Sequence, residues 1–336
     1  MELLHVLLLL LLLPTTLALV GAASDGKDGG KPPPGPPPPP PPLPDFQFSP
    51  TFGDDMVLQM APAASAVYGF TGEGGTAVSV SVSSAGKVLY TVNATLNSTQ
   101  QPFGASWGER PNAAGGCFNP WCKPLATWKA LLKPTAAGGS YTIIATCKGC
   151  TGNTTAEITS ATFGDVWHCS GQSNMWFPVQ KTYSRNETVA AIQSGKYTNI
   201  HLMAGNSGTA PHGSTGSGTA GESWPPLYGA KGGSNPWMTA VQAISDGTSS
   251  GLEGGNMSLF KMGATCWYFA QRLAELGVDH PIGLVNTAIG GQRIEEYMSN
   301  SSIATCHNRS SPGAFDGTLF GQQILPFVDM TVKGCA

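Results

Sequence analysis

The spacing of apolar residues changes at about Phe163, and that change constrains the fold more than any other feature of this 336-residue chain. Before it, Ala77-Val78-Ser79-Val80-Ser81-Val82 alternates strictly, the period of a β-strand with one buried face. Val88–Val92 and Tyr141–Ala145 read as two more strands, with glycine-rich turns between them and no long amphipathic helix. Residues 46–160 are therefore expected to form a small antiparallel β-sandwich. Gln101–Asn119 reads as a loop within it.

After Phe163 strands and helices alternate. Val166–Cys169 is a short apolar strand, a helix is predicted around Glu187–Gln193, and Ile200–Met203 is another strand. Met257–Leu276 is the clearest helix, ended by Gly277, and Pro281 leads into a buried strand at Ile282–Val285. A last helix is predicted near Leu319–Ile324 and a last strand at Met330–Cys335. Alternation of this kind calls for an α/β domain with a parallel sheet over residues 161–336. The Gly/Ser/Thr/Pro-rich stretch from Gly205 to Asn235 is too polar and too broken to fold alone, and loops of that length are often functional.

The N-terminus points to the secretory pathway. Val6 and the Leu7–Leu13 run are followed by small residues ending in Val20-Gly21-Ala22-Ala23, a pattern read as a signal peptide over residues 1–23. The run falls short of the ~20 apolar residues that span a bilayer, so no stable membrane span is expected. Residues 24–45 form a linker whose proline run can only be an extended polyproline spacer. Seven glycosylation acceptors fit the same compartment: Asn93, Asn97, Asn153, Asn186, Asn256, Asn300 and Asn308.

Eight cysteines in an oxidising compartment imply some pairing. Cys117 with Cys122, and Cys147 with Cys150, are close enough in sequence to be local staples. The Cys-Lys-Gly-Cys stretch lacks the second cysteine pair and the histidines of a zinc site, so a turn-closing disulfide is the better reading and no metal is expected. Cys169 and Cys266 lie in apolar segments and are expected to be buried free thiols. Net charge is only −3, with 11 % of residues charged. That leaves no electrostatic footprint for nucleic acid or an anionic membrane, and a neutral partner such as carbohydrate fits better. No sequence feature specifies an oligomeric state.

Chemistry is concentrated where a strand runs into Gly171-Gln172-Ser173-Asn174. A sharp turn off the carboxyl end of a sheet holds a hydroxyl at the rim, where open α/β sheets place their sites. An adjacent backbone N–H can face a developing oxyanion. An ordinary turn in which Ser173 caps the next segment is equally compatible with the residues alone.

The stretch Phe163–Met175 resembles the nucleophile block of the sialate O-acetylesterase family, a branch of the SGNH hydrolases. The resemblance extends to Asp54–Gln59 with Val67-Tyr68-Gly69, to Trp128–Pro134, to Pro281–Val285 running into Gly290-Gly291 and Ile294-Glu295, and to Thr331–Ala336. It covers residues 46–336 in order. It implies an SGNH, flavodoxin-like parallel sheet with helices on both faces, preceded by the β-sandwich. It also implies a serine hydrolase without a cofactor, acting on an O-acetylated carbohydrate. Ser173 would be the nucleophile. The N–H groups of Ser173 and of the Gly290-Gly291 turn, Gly291 above all, would line the oxyanion hole, and Gln172 and Asn174 would shape the pocket. Gln292 stands where the family usually has threonine.

The family's next blocks, a Trp-Tyr-Gln-Gly-Glu-like segment and the Asp-x-x-His-like segment that supplies the general base, have no counterpart here. The resemblance therefore reads the chain as a C-terminally truncated form, inactive without its base. His168, His201, His212, His280 and His307 show no spacing that argues for a substitute, and Asp279-His280 is expected at the amino end of the sheet. Two other readings compete. One is a secreted, non-catalytic glycan-binding or cell-wall-associated protein. The other is a thiol hydrolase using Cys169, which its place inside a strand disfavours.

Overall fold

A computed structural model describes residues 45–49, 51–97, 126–203, 237–245, 258–306 and 320–336. The leader, the proline run, Gln101–Asn119, the Cys117/Cys122 pair, the 205–235 stretch, His212, His307, Asn256 and Asn308 lie outside the described residues. The first part holds the strands β1 (Gln47–Phe48), β2 (Val57–Gln59), β3 (Ala66–Phe70), β4 (Ala77–Ser84), β5 (Lys87–Asn93), β6 (Thr95–Asn97), β7 (Thr127–Leu131) and β8 (Gly138–Lys148). The long β9 (Thr155–Cys169) follows and is shared with the second part.

One sheet runs β1-β3-β7-β6 and is antiparallel throughout. A second runs β9-β8-β4-β5, also antiparallel, and the two face each other as the alternation predicts. Val78, Val80 and Val82, at most 3 % exposed, turn one face of β4 into a core shared with Phe46, Trp128, Ile143 and Phe163. The serines between them stay partly exposed, so the period-two pattern is itself the burial pattern. Cys147 and Cys150 are joined in a disulfide across the turn after β8, with Cα atoms 5.8 Å apart.

The second part continues with α1 (Ser173–Trp176), α2 (Arg185–Gln193), β10 (Ile200–Met203), β11 (Trp237–Thr239), α3 (Ala240–Ser245), α4 (Ser258–Lys261), α5 (Ala264–Glu275), β12 (Ile282–Asn286), α6 (Asn300–Ala304) and β13 (Gly334–Cys335). Strand order is β11-β10-β12-β9, with β13 on the far side of β9. The β10–β12, β12–β9 and β13–β9 pairs are parallel, as the βα alternation requires; only β11 is antiparallel. The hinge of the design is β9. Its first half pairs with β8, and its second half, from Asp165 to Cys169, pairs residue by residue with Ile282–Asn286 of β12.

A parallel sheet must bury both faces. Ile200, Leu202, Ile282 and Leu284 pack against Val189, Phe260, Trp267 and Ala270 of the helices. On the other face Val166, Met203 and Val285 join the core built by the β-rich part.

Two local expectations need correction. Met257–Leu276 is not one helix. It breaks at Met262-Gly263, where Gly263 is extended and packs so close to α1 that a Cβ would overlap the Met175 carbonyl oxygen. Met330–Cys335 is a strand only at Gly334–Cys335: the Met330 N–H donates to the Phe327 carbonyl at 2.9 Å, and the Thr331 hydroxyl accepts from the Ala66 N–H of β3 at 2.9 Å. The helix expected near Leu319–Ile324 is present, as a π-helical turn over Phe320–Ile324.

Candidate functional site

Cys169 and Asn286 are the last paired residues of two adjacent parallel strands, so the segments that follow emerge side by side at the carboxyl end of the sheet. The ladder continues past both strands: Thr287 N–H donates to the Cys169 carbonyl at 2.9 Å, and Ile289 N–H donates to the Gly171 carbonyl at 3.0 Å. Ser173 opens α1 immediately beyond, and it is exposed. Gly290-Gly291 forms the facing turn.

The resemblance implies one site for Ser173 and the glycine pair, and the two turns that carry them lie side by side in the fold. Gln172 reaches across, its Nε2 donating to the Gln292 carbonyl. The Asn174 side chain is exposed, while its carbonyl accepts from Thr265 Oγ1 at 3.0 Å and ties α1 to α5. Among the described residues, the N–H groups of Ser173, Gly290 and Gly291 meet no acceptor. Gly291 has φ +79, a conformation other residues adopt only under strain. Gly290 serves a different need, since a Cβ there would stand 2.8 Å from Trp176 Cε3.

The floor of the site holds two features that the sequence does not reveal. Cys169 and Cys266 are not free thiols: they form a disulfide, Cα atoms 5.9 Å apart, between the end of β9 and the buried face of α5. Both sulfurs belong to fully buried residues and are consumed in that bond, which removes Cys169 as a nucleophile. Tyr297, in the 3-10 turn Ile294–Tyr297, bonds to both Gly171 and Ile289. No local pattern marks it, because its partners are backbone groups of two distant turns.

The described histidines each have another partner. His168 Nε2 lies 2.9 Å from Thr287 Oγ1, the ring stacks on Phe327, and burial pushes its pKa down to about 4. His201 bonds the Asp55 carbonyl, and burial lowers its pKa too. His280 Nε2 lies 3.2 Å from Asp165 Oδ2 at the amino end of the sheet, opposite Ser173, as its position before Pro281 suggested. Burial raises the Asp165 pKa, but hydrogen bonds from Gln59 and His280 and the charge of Lys333 outweigh it and hold the carboxyl below its usual range. That cluster joins β2, β9 and the start of β12, and its role is structural.

Asn93, Asn97, Asn153 and Asn186 are exposed. Among the described residues no helix is long and apolar enough to cross a membrane.

No protein-family profile matches the chain. Curated proteins do. It is 26 % identical over 265 residues to the sialate O-acetylesterase of Mus musculus, covering 78 % of this chain and 39 % of that protein. It is 25 % identical over 299 residues to the sialate O-acetylesterase of Homo sapiens, covering 86 % and 47 %. The chain thus spans less than half the length of these relatives. Among solved structures, a carbohydrate acetylesterase from Xanthomonas citri superposes with a TM-score of 0.51 at 22 % identity, over 86 % of this chain and 49 % of that one; this likeness speaks for the fold.

Proposed function

We propose that this chain, a divergent relative of the sialate O-acetylesterases, carries the nucleophile half of a serine esterase site that removes O-acetyl groups from sugars. The observation that carries the reading is the exposed Ser173, set on a turn whose own N–H and those of Gly290 and Gly291 are uncommitted among the described residues.

In this reading Ser173 Oγ bonds to the acetyl carbonyl carbon while its proton passes to a general base. The tetrahedral oxyanion forms beside the Ser173 and Gly291 N–H groups, with Gly290 as the neighbouring donor. The intermediate collapses by breaking the bond to the sugar oxygen, which leaves protonated. Water then repeats the sequence on the acetyl-serine and releases acetate. His168, with a pKa near 4, is a weak base at neutral pH and faces Thr287, so the base is assigned to the Asp-x-x-His-like block of the family. Phe177 and Ile294, both exposed beside the two turns, offer apolar surface to a sugar face.

The disulfides, the exposed sequons and the leader-like N-terminus support a secreted or lumenal protein. The test is acetate release from p-nitrophenyl acetate and from an O-acetylated sugar by a chain carrying the base-bearing block, beside its Ser173→Ala variant. Loss of turnover in the variant supports the reading. Equal turnover ends it, and glycan binding without any turnover would favour a non-catalytic role.

A further inference from the structure

The Tyr297 phenol bonds both turns of the site at once. Its hydroxyl donates to the Gly171 carbonyl at 3.0 Å and accepts from the Ile289 N–H at 3.0 Å. The same N–H lies 3.0 Å from the Gly171 carbonyl. Three polar groups close a triangle: one lies two residues before Ser173, one immediately precedes Gly290, and the third comes from the turn that follows the glycine pair.

A phenol has one proton to give and lone pairs to accept with, so it satisfies both backbone groups, whereas a phenyl ring satisfies neither. Burial pushes the Tyr297 phenol up to about 12, so it stays protonated across the neutral range and keeps its donor role. Two other ties join the same turns: the direct Ile289-to-Gly171 backbone bond, which shares its N–H with the phenol, and the Gln172-to-Gln292 bond, which lies on the exposed side, where water competes for both groups. Acyl transfer depends on a fixed separation between nucleophile and oxyanion donors, and a misplacement on the order of 1 Å costs roughly 100-fold in rate.

We propose that Tyr297 is a positioning residue of the site, whose hydroxyl sets the spacing between the Ser173 turn and the Gly290-Gly291 turn by binding the Gly171 carbonyl and the Ile289 amide together. The consequence for rate rests on Ser173 being the nucleophile; the clamp itself rests on geometry alone.

Tyr297→Phe keeps the ring and removes both bonds. In the protein carrying the base-bearing block, labelling of Ser173 by a fluorophosphonate probe, read by mass spectrometry, is expected to slow by about tenfold or more. Amide hydrogen exchange over residues 170–176 and 289–292 is expected to accelerate. A ring-fluorinated tyrosine at 297 fills the same space but ionises at lower pH. Its labelling rate should fall as that phenol loses its proton while the unsubstituted protein shows no such step, a signature that a space-filling ring does not produce. Unchanged labelling and unchanged exchange in Tyr297→Phe overturn the proposal. Should Ser173 take no label in the unsubstituted protein, the nucleophile reading fails and the exchange comparison still decides the clamp: faster exchange supports it and unchanged exchange overturns it. Should Tyr297→Phe not fold, the fluorotyrosine decides it, by its labelling profile or by exchange above and below the ionisation of its phenol.

Discussion

Cys169 and Cys266, 97 residues apart in sequence, are joined by a disulfide that anchors the end of β9 to α5 four residues before Ser173. A crosslink closing so long a loop acts largely on the unfolded chain. Replacing both cysteines by alanine is expected to cost about 2–5 kcal/mol in denaturant unfolding under oxidising conditions. An unchanged midpoint, or recovery of Cys169 and Cys266 themselves as alkylated thiols from the denatured but unreduced protein, would contradict the pairing.

Acidification provides a second prediction. An unfolded chain takes up a proton on His168 near 6.5, while the folded chain resists until about 4 because burial disfavours the charged ring. Between those values the unfolded state binds more protons, so stability falls as pH falls through the window and is fully present above it. His201 acts in the same direction. The His168 contribution is roughly 2–3 kcal/mol across the window. Urea midpoints measured from pH 7 to 4.5 should decline, and His168→Gln should flatten that decline. An identical slope in the variant would show that the ring is not held neutral.

Gly263 seats α1, the turn of helix that carries Ser173. Its Cβ would overlap the Met175 carbonyl and stand 2.7 Å from Asn286 Nδ2, both backed by packed core. Gly263→Ala should therefore destabilise the protein by about 1–3 kcal/mol and displace α1. In the protein carrying the base-bearing block, fluorophosphonate labelling of Ser173 slower than in Gly277→Ala, whose Cβ would meet open space and so tests an α5-terminal glycine away from the site, would separate the local effect from general strain.

What the sequence made legible was what local spacing encodes. Val78, Val80 and Val82 alternate because one face of β4 is core, and the strand at Ile200–Met203 has the bounds its apolar residues suggest. The placement of Ser173 at a strand's carboxyl end follows from a strand meeting Gly-Gln-Ser-Asn. The break at Gly263 was not legible, since its cause is a carbonyl on another element. Neither was the bond between Cys169 and Cys266: an apolar setting announces burial of a thiol and says nothing about a partner across the fold. Tyr297 left no trace for a related reason, because it recognises main-chain groups, which every residue carries.

In the proposed reaction Ser173 accepts the acetyl group. Rapid-quench digestion of the protein carrying the base-bearing block, mixed with an acetyl ester, would trap that acyl-enzyme. An acetyl adduct is expected on Ser173 in the peptide spanning residues 170–175, absent from Ser173→Ala. Acetate released at the same rate by that variant, with no adduct on Ser173, would contradict it.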